Sequence, residues 1–150
     1  MIVHFICRGN SFRSIIAEAY LNSLEIAGLA AVSSGTVATA NKARNLPYHQ
    51  LTLELLAQRG IRDYAKASYG DQLTQTNLEQ ADVTVCMNRQ VYDDCLQVVT
   101  FAADPRIWSV TDIGEPGRIA RTEAESWRYR EEAYREIVGH VDQLIKELQP

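Results

Sequence analysis

Short apolar runs alternate along this chain with longer stretches in which apolar residues recur every three or four positions. Ile2–Ile6, Val83–Cys86 and Leu96–Phe101 are rich in β-branched residues, and Ala30–Val32 is a weaker fourth run. Runs this short, with little polar alternation, suit strands covered on both faces of a parallel sheet. Between them, Ile15, Ile16, Ala19, Tyr20 and Leu24 share one helical face, and Gly28 marks its stop. Leu51, Leu53, Leu55 and Leu56 belong to a second helix, with Pro47 near its start and Gly60 past its end. Tyr134, Ile137, Val138, Val141, Leu144, Ile145 and Leu148 fit a long amphipathic terminal helix. Strands alternating with helices predict right-handed βαβ units, hence an α/β fold with a parallel sheet between helical layers. The polar stretch from Asp112 to Arg130, with Gly114, Pro116 and Gly117, reads as a long surface loop. Without a repeat or linker, residues 1–150 are expected to form one domain.

Composition narrows the functional classes. The formal net charge is -4, so nothing global favours nucleic acid or an anionic membrane, and a bound anion needs a local cationic site. No stretch approaches the roughly 20 apolar residues of a membrane span. Met1 is followed at once by Ile-Val-His-Phe-Ile with no positive n-region, so a signal peptide is not expected. Cys7, Cys86 and Cys95 are odd in number and lack a CxxC spacing, which argues against a disulfide framework or zinc site. His4, His49 and His140 show no paired ligand spacing either, and no metal site is expected. A reducing, cytoplasmic setting follows as the expectation. The run from Arg118 to Arg135 mixes charge signs and reads as a solvated surface.

The chemistry concentrates near the N-terminus. The apolar run ends in Cys7-Arg8-Gly9-Asn10-Ser11-Phe12-Arg13-Ser14, and a helical pattern follows immediately. A cysteine between a strand end and a helix start faces unpaired backbone amides and the positive end of the helix dipole, which favour its thiolate. Residues Arg8 to Phe12 are able to wrap into a ring whose N–H groups cradle three phosphate oxygens. Gly9 and Asn10 suit the left-handed backbone angles of such a ring. Arg13 offers a planar fork for two oxygens, and Ser14 a hydroxyl for the Cys7 sulfur. A cysteine ending a buried strand is otherwise just a small core residue; the surrounding pattern sets this one apart.

The loop resembles the phosphate-binding signature of the low-molecular-weight protein tyrosine phosphatases, and Ala17-Glu18-Ala19 after it also matches. Val32-Ser33-Ser34-Gly35-Thr36, the helix end from Leu56 to Ile61, Gln72-Leu73-Thr74 and Ala81-Asp82-Val83 resemble later family segments in the same order. The resemblance implies a phosphotyrosine phosphatase I-like fold, a four-stranded parallel sheet in the order 2-1-3-4 with helices on both faces. It implies a thiophosphate-cysteine intermediate on Cys7, Arg13 as charge stabiliser and Ser33 bonded to Asn10 as loop support. It also implies a phosphorylated protein or small phosphate ester as substrate, inorganic phosphate or another oxyanion in the loop, and no cofactor or metal.

Leaving-group protonation needs a carboxylic acid. Asp112, in Trp108-Ser109-Val110-Thr111-Asp112-Ile113, resembles the family's Trp-x-Val-x-Asp-Pro run with Ile113 in place of proline, and is the preferred acid. Asp104, in the literal pair Asp104-Pro105 just after the expected fourth strand, is the alternative, and Glu115 a third. The chain departs from the family where Phe12 stands in place of a second cysteine and Arg8 in place of a small or apolar residue. Val37-Ala38-Thr39 and Ile113-Gly114 also lack the family's aromatic pocket walls, leaving Trp127 or Tyr129 of the expected loop to replace them. Two other readings stay open. Cys86 and Cys95 allow a thiol-coupled arsenate reductase, and failure of both aspartates would leave a non-catalytic phosphate-binding module.

Overall fold

The computed structural model describes residues 1–149. Its sheet has β1 (Ile2–Cys7) between β2 (Ala30–Gly35) and β3 (Val83–Cys86), with β4 (Arg106–Ile107) at the far edge. The order is β2-β1-β3-β4 and every pairing is parallel. Successive residues of β1 point to opposite faces, and Val3 through Cys7 are all buried, so the central strand is covered on both sides. The cover comes from α1 (Arg13–Ser23), α2 (Ala38–Gln58), α3 (Gln75–Glu79), α4 (Arg89–Cys95) and α5 (Glu123–Leu148). Phe5, Ile6, Ile15, Ile16, Leu55, Leu56, Val85 and Ile137 form the centre of one continuous core.

Four expectations are corrected. The fourth strand is not Leu96–Phe101 but the two-residue β4. The amides of Leu96, Gln97, Val98 and Val99 turn back onto the carbonyls of Tyr92, Asp94 and Cys95, so this run continues the end of α4 and cannot join the sheet. Helix α1 ends at Ser23, short of Gly28, because Glu25 takes the left-handed position (φ 50°) that closes it. Helix α2 starts at Ala38 rather than near Pro47, which lies in its interior. The proline cannot donate to the Ala43 carbonyl, but both residues are exposed, which leaves that acceptor open to solvent. Finally, the loop expected to reach Arg130 stops at Thr122, whose hydroxyl accepts from the Glu125 amide at 3.1 Å. Glu123 and Glu125 then oppose the dipole in the first turn of α5. Trp127 and Tyr129 therefore sit on a helix, and Trp127 packs partly against the core.

Two bonds past the strand ends carry the sheet toward the site. Trp108 N–H donates to the Cys86 carbonyl and Val110 N–H to the Met87 carbonyl, both at 2.9 Å. They hold residues 108–112 along the carboxyl edge of the sheet, where β1 ends in Cys7.

Candidate active site

Residues Arg8 to Phe12 link β1 to α1, and their carbonyls are tied outward by the surrounding protein. Val37 N–H donates to Arg8 O at 3.0 Å, Gly70 N–H to Asn10 O at 3.1 Å and Ile16 N–H to Phe12 O at 3.0 Å. Thr52 Oγ1 donates to Ser11 O at 2.7 Å, so α2 also grips the loop. Thr36 N–H meets Cys7 O at 3.1 Å. Among the described residues, none of the amides of Arg8 to Phe12 donates to a protein acceptor. A peptide whose carbonyl faces out turns its N–H the other way, and the loop presents its donors inward, as anion-binding nests do.

Asn10 fixes this shape. Its φ of 51° is in the left-handed region, which asparagine tolerates better than most residues. Its Nδ2 donates to Ser14 Oγ and to Ser33 Oγ, each at 2.9 Å, and its Oδ1 accepts from Asp71 N–H at 3.0 Å. Ser33 Oγ in turn donates to Glu18, a buried carboxylate whose other neighbour is Lys66, 3.9 Å away. Burial holds the Glu18 carboxyl above its ordinary value, against the opposing pull of Lys66 and the Ser33 hydroxyl. Beside this network, Gly35 lets β2 pass close behind the loop: a Cβ there would lie 2.4 Å from the Arg8 carbonyl oxygen.

Cys7 is buried, and its Sγ lies 2.9 Å from Ser14 Oγ. The Ser14 oxygen already accepts from Asn10, which leaves its O–H free to donate to the sulfur. Arg13, also buried, donates from Nη1 to the Val110 carbonyl at 2.9 Å and from Nη2 to Asp112 Oδ2 at 3.3 Å. Glu115 Oε1 is 3.8 Å from Nη1, whereas the buried Nε has no partner. The structure thus brings Cys7, Arg8 to Ser14, Ser33 and Asp112 to one place, with Glu115 at its margin. Asp104 is elsewhere. It precedes β4 instead of following the fourth strand, and lines a separate cavity of about 370 Å³ with Asp82 and Arg106.

A cavity of about 410 Å³ opens above the loop. Arg8, Gly9, Ser11 and Phe12 form its floor, and Asp112, Ile113 and Arg130 one side. The opposite side is Asn41, Arg44, Asn45 and Tyr48 of α2. Sequence reasoning missed that wall although its spacing, i, i+3, i+4 and i+7, is one helical face. Placing the helix start at Pro47 hid it. Arg130 was hidden too, inside a run read as solvated surface.

The sequence matches the family profile described as "Low molecular weight phosphotyrosine protein phosphatase" over residues 2–149. The chain belongs to that family. Among solved structures, Wzb of Vibrio vulnificus in complex with benzylphosphonate aligns over 97% of this chain and 97% of its own, with 20% identity and a TM-score of 0.74. A thioredoxin-dependent arsenate reductase of Corynebacterium glutamicum is 25% identical with a TM-score of 0.63. The alignment covers 99% of this chain and 61% of the reductase. The YwlE arginine phosphatase of Geobacillus stearothermophilus is 17% identical with a TM-score of 0.57, over 97% of this chain and 94% of that one. No curated protein matches the chain significantly. Membership of the phosphatase family fits the parallel four-stranded sheet and the cysteine at its carboxyl edge.

Proposed function

We propose that this chain is a cytoplasmic phosphatase, acting as one domain, that hydrolyses phosphate monoesters through a cysteine intermediate, with protein phosphotyrosine as substrate class. The observation that carries the reading is the convergence of Cys7 Sγ, the inward amides and the unpartnered Nε of Arg13 on one loop, whose residues Arg8, Gly9, Ser11 and Phe12 line a cavity. In the first step the Cys7 thiolate attacks phosphorus and the ester P–O bond breaks. Arg13 and the loop amides meet the charge on the equatorial oxygens, and the leaving oxygen takes the proton of Asp112. Then a water gives its proton to the Asp112 carboxylate and attacks phosphorus. The P–S bond breaks, returning the thiolate and releasing phosphate. Ser14 donates to sulfur at both ends of this cycle. The half-exposed ring of Tyr48 supports an aryl substrate, because it gives the cavity one aromatic wall for a phenyl group.

The test is hydrolysis of 4-nitrophenyl phosphate, phosphotyrosine and phosphoarginine by wild type, Cys7→Ser, Asp112→Asn and Asp104→Asn. Turnover lost in Cys7→Ser, reduced about 10²–10⁴-fold in Asp112→Asn and kept in Asp104→Asn supports the mechanism. Faster release from phosphoarginine than from phosphotyrosine would reassign the substrate. An inactive wild type would overturn the phosphatase reading.

One observation favours a second reading, arsenate reduction. Cys86 and Cys95 are both buried with their sulfurs 4.0 Å apart. Its weakness lies in Cys95, whose thiol is pushed up by its hydrogen bond to Cys86 and by burial, so it resists forming a thiolate. Thiol-carrier-dependent arsenate reduction lost in Cys86→Ala or Cys95→Ala would establish that reading.

A further inference from the structure

The cavity above the loop has an excess of positive charge that the proposed chemistry does not use. Its charged lining is Arg8, Arg44, Arg130 and Asp112, with the Tyr48 hydroxyl beside them. Arg8 leans on Asp94 at 3.5 Å, and Asp112 is committed to Arg13 at 3.3 Å. Arg44 is exposed and, among the described residues, has no carboxylate within 4 Å. Arg130 is the more telling case, being only 4% exposed and equally without a carboxylate partner. Its guanidinium donates to Ser126 Oγ one turn back and lies over the Trp127 ring, 5.7 Å from the centroid. Those two contacts fix its direction without neutralising it. A buried charge with no ion pair is costly, and burial disfavours its charged form here more than nearby Tyr48 and Asp112 favour it. The part of Arg130 that is not covered by protein faces the cavity.

We propose that Arg130 and Arg44 form a second anion subsite at the mouth of the Cys7 pocket, selecting phosphate monoesters whose organic part carries another anion. This rests on the phosphatase reading and narrows its substrate class. The phosphoryl group sits on the loop, and the second group, a carboxylate or further phosphate, meets the guanidinium of Arg130 from the open side. Arg44 reaches it from α2. Asn41 and Asn45, on the same helical face, are neutral and do not oppose an anion. Two sources share this chemistry: an acidic side chain beside a phosphorylated residue in a protein, and a small phosphate ester whose organic part carries a second anionic group.

The experiment measures binding to the Cys7→Ser protein by calorimetry, so that it does not depend on turnover. One arm compares a Glu-phosphotyrosine-Glu peptide with its Gln-phosphotyrosine-Gln counterpart; the other compares 4-carboxyphenyl phosphate with 4-carbamoylphenyl phosphate. The acid is expected to bind about five- to tenfold more tightly than the matched amide in at least one arm. Adding Arg130→Gln or Arg44→Gln reduces that ratio toward one, and high salt does the same. Preference in the peptide arm alone assigns the subsite to protein substrates, and preference in the small-ester arm alone to metabolites. Equal binding of acid and amide in both arms overturns the proposal. So does a preference that persists in both arginine variants, or a loss of affinity that is the same for acid and amide. If Arg130→Gln fails to fold, exposed Arg44→Gln and the charge-keeping Arg130→Lys carry the comparison. Hydrolysis of 4-nitrophenyl phosphate by wild type separately decides whether the phosphatase reading itself has failed.

Discussion

Replacing Asn10 tests whether the loop is held by its side chain or only by its backbone. Asn10→Gly keeps access to the left-handed backbone but removes three hydrogen bonds, the buried ones to Ser14 and Ser33 and the half-buried one from the Asp71 amide. At about 1 kcal/mol each, the loss is about 3 kcal/mol. In a chain of this size that lowers Tm by roughly 6–12 °C. Asn10→Ala loses the same bonds and adds the strain of a Cβ at φ 51°, about 1 kcal/mol more. Urea unfolding of wild type and both variants gives the two differences directly. The activity consequence follows from Ser14, whose hydroxyl loses the donor that orients it toward Cys7 Sγ at 2.9 Å. The drop is expected in kcat for 4-nitrophenyl phosphate, by at least about tenfold, because the thiolate is both attacking and leaving group. A glycine variant within about 1 kcal/mol of wild type and fully active would refute the account. Equal stability of the Gly and Ala variants would refute only the strain argument.

Other perturbations reach different parts of the structure. Gly35→Ala sets a Cβ 2.4 Å from Arg8 O and 2.8 Å from Asn10 N, so the loop must shift; about 1–3 kcal/mol of stability and most of the activity should be lost. Wild-type stability and turnover in this variant would show that β2 does not brace the loop. Burial pushes the His4 imidazole down from 6.5 to about 4. The unfolded chain therefore takes up the proton first, and stability is lost as pH falls from about 6.5 to about 4, by about 3 kcal/mol in all and about 2 kcal/mol by pH 5. Denaturation across that range should show a steeper loss in wild type than in His4→Gln, since buried His49 adds a slope of the same sign to both; parallel curves would contradict it. Pro47→Ala restores an interior bond of α2 and should stabilise the protein by about 1–3 kcal/mol, read as a higher urea midpoint. A lower midpoint would mean that the helix depends on its proline.

The parts of the fold that could be read from the chain were those with a local signature. The strand ending in Cys7, the glycine- and asparagine-bearing loop and the helix after Arg13 follow one another without a break, and the structure has them at those places. Strand β4 escaped because Arg106 and Ile107 are both exposed and pair over only two residues, too few for a pattern. The more apolar run at Leu96 imitated a strand while serving as the end of α4. Helix α2 was shortened because proline is most often found at the start of a helix, whereas Pro47 is carried in the interior at a cost in stability. The start of α5 did have a signal, Thr122 three residues before Glu125, masked by the mixed charges around it. At the site, the clustering of Cys7, Arg13 and Asn10 was legible because it follows from their spacing along one loop. Arg130 and Arg44 were not, because they meet only when the start of α5 and the first half of α2 close over the loop.

The outward tethering of the loop carbonyls has a kinetic consequence. Five separate backbone and hydroxyl donors, on Thr36, Val37, Gly70, Thr52 and Ile16, hold the ring in shape before any ligand arrives. Its donors are consequently matched to a tetrahedral oxyanion as such, with no rearrangement to tell one bearing an ester from one without. Inorganic phosphate, the product of the proposed reaction, fits the same cradle as the group it came from. For the proposed reaction, product inhibition is inherent in that preorganisation, and turnover is expected to depend on the phosphate concentration around the site as well as on the supply of substrate.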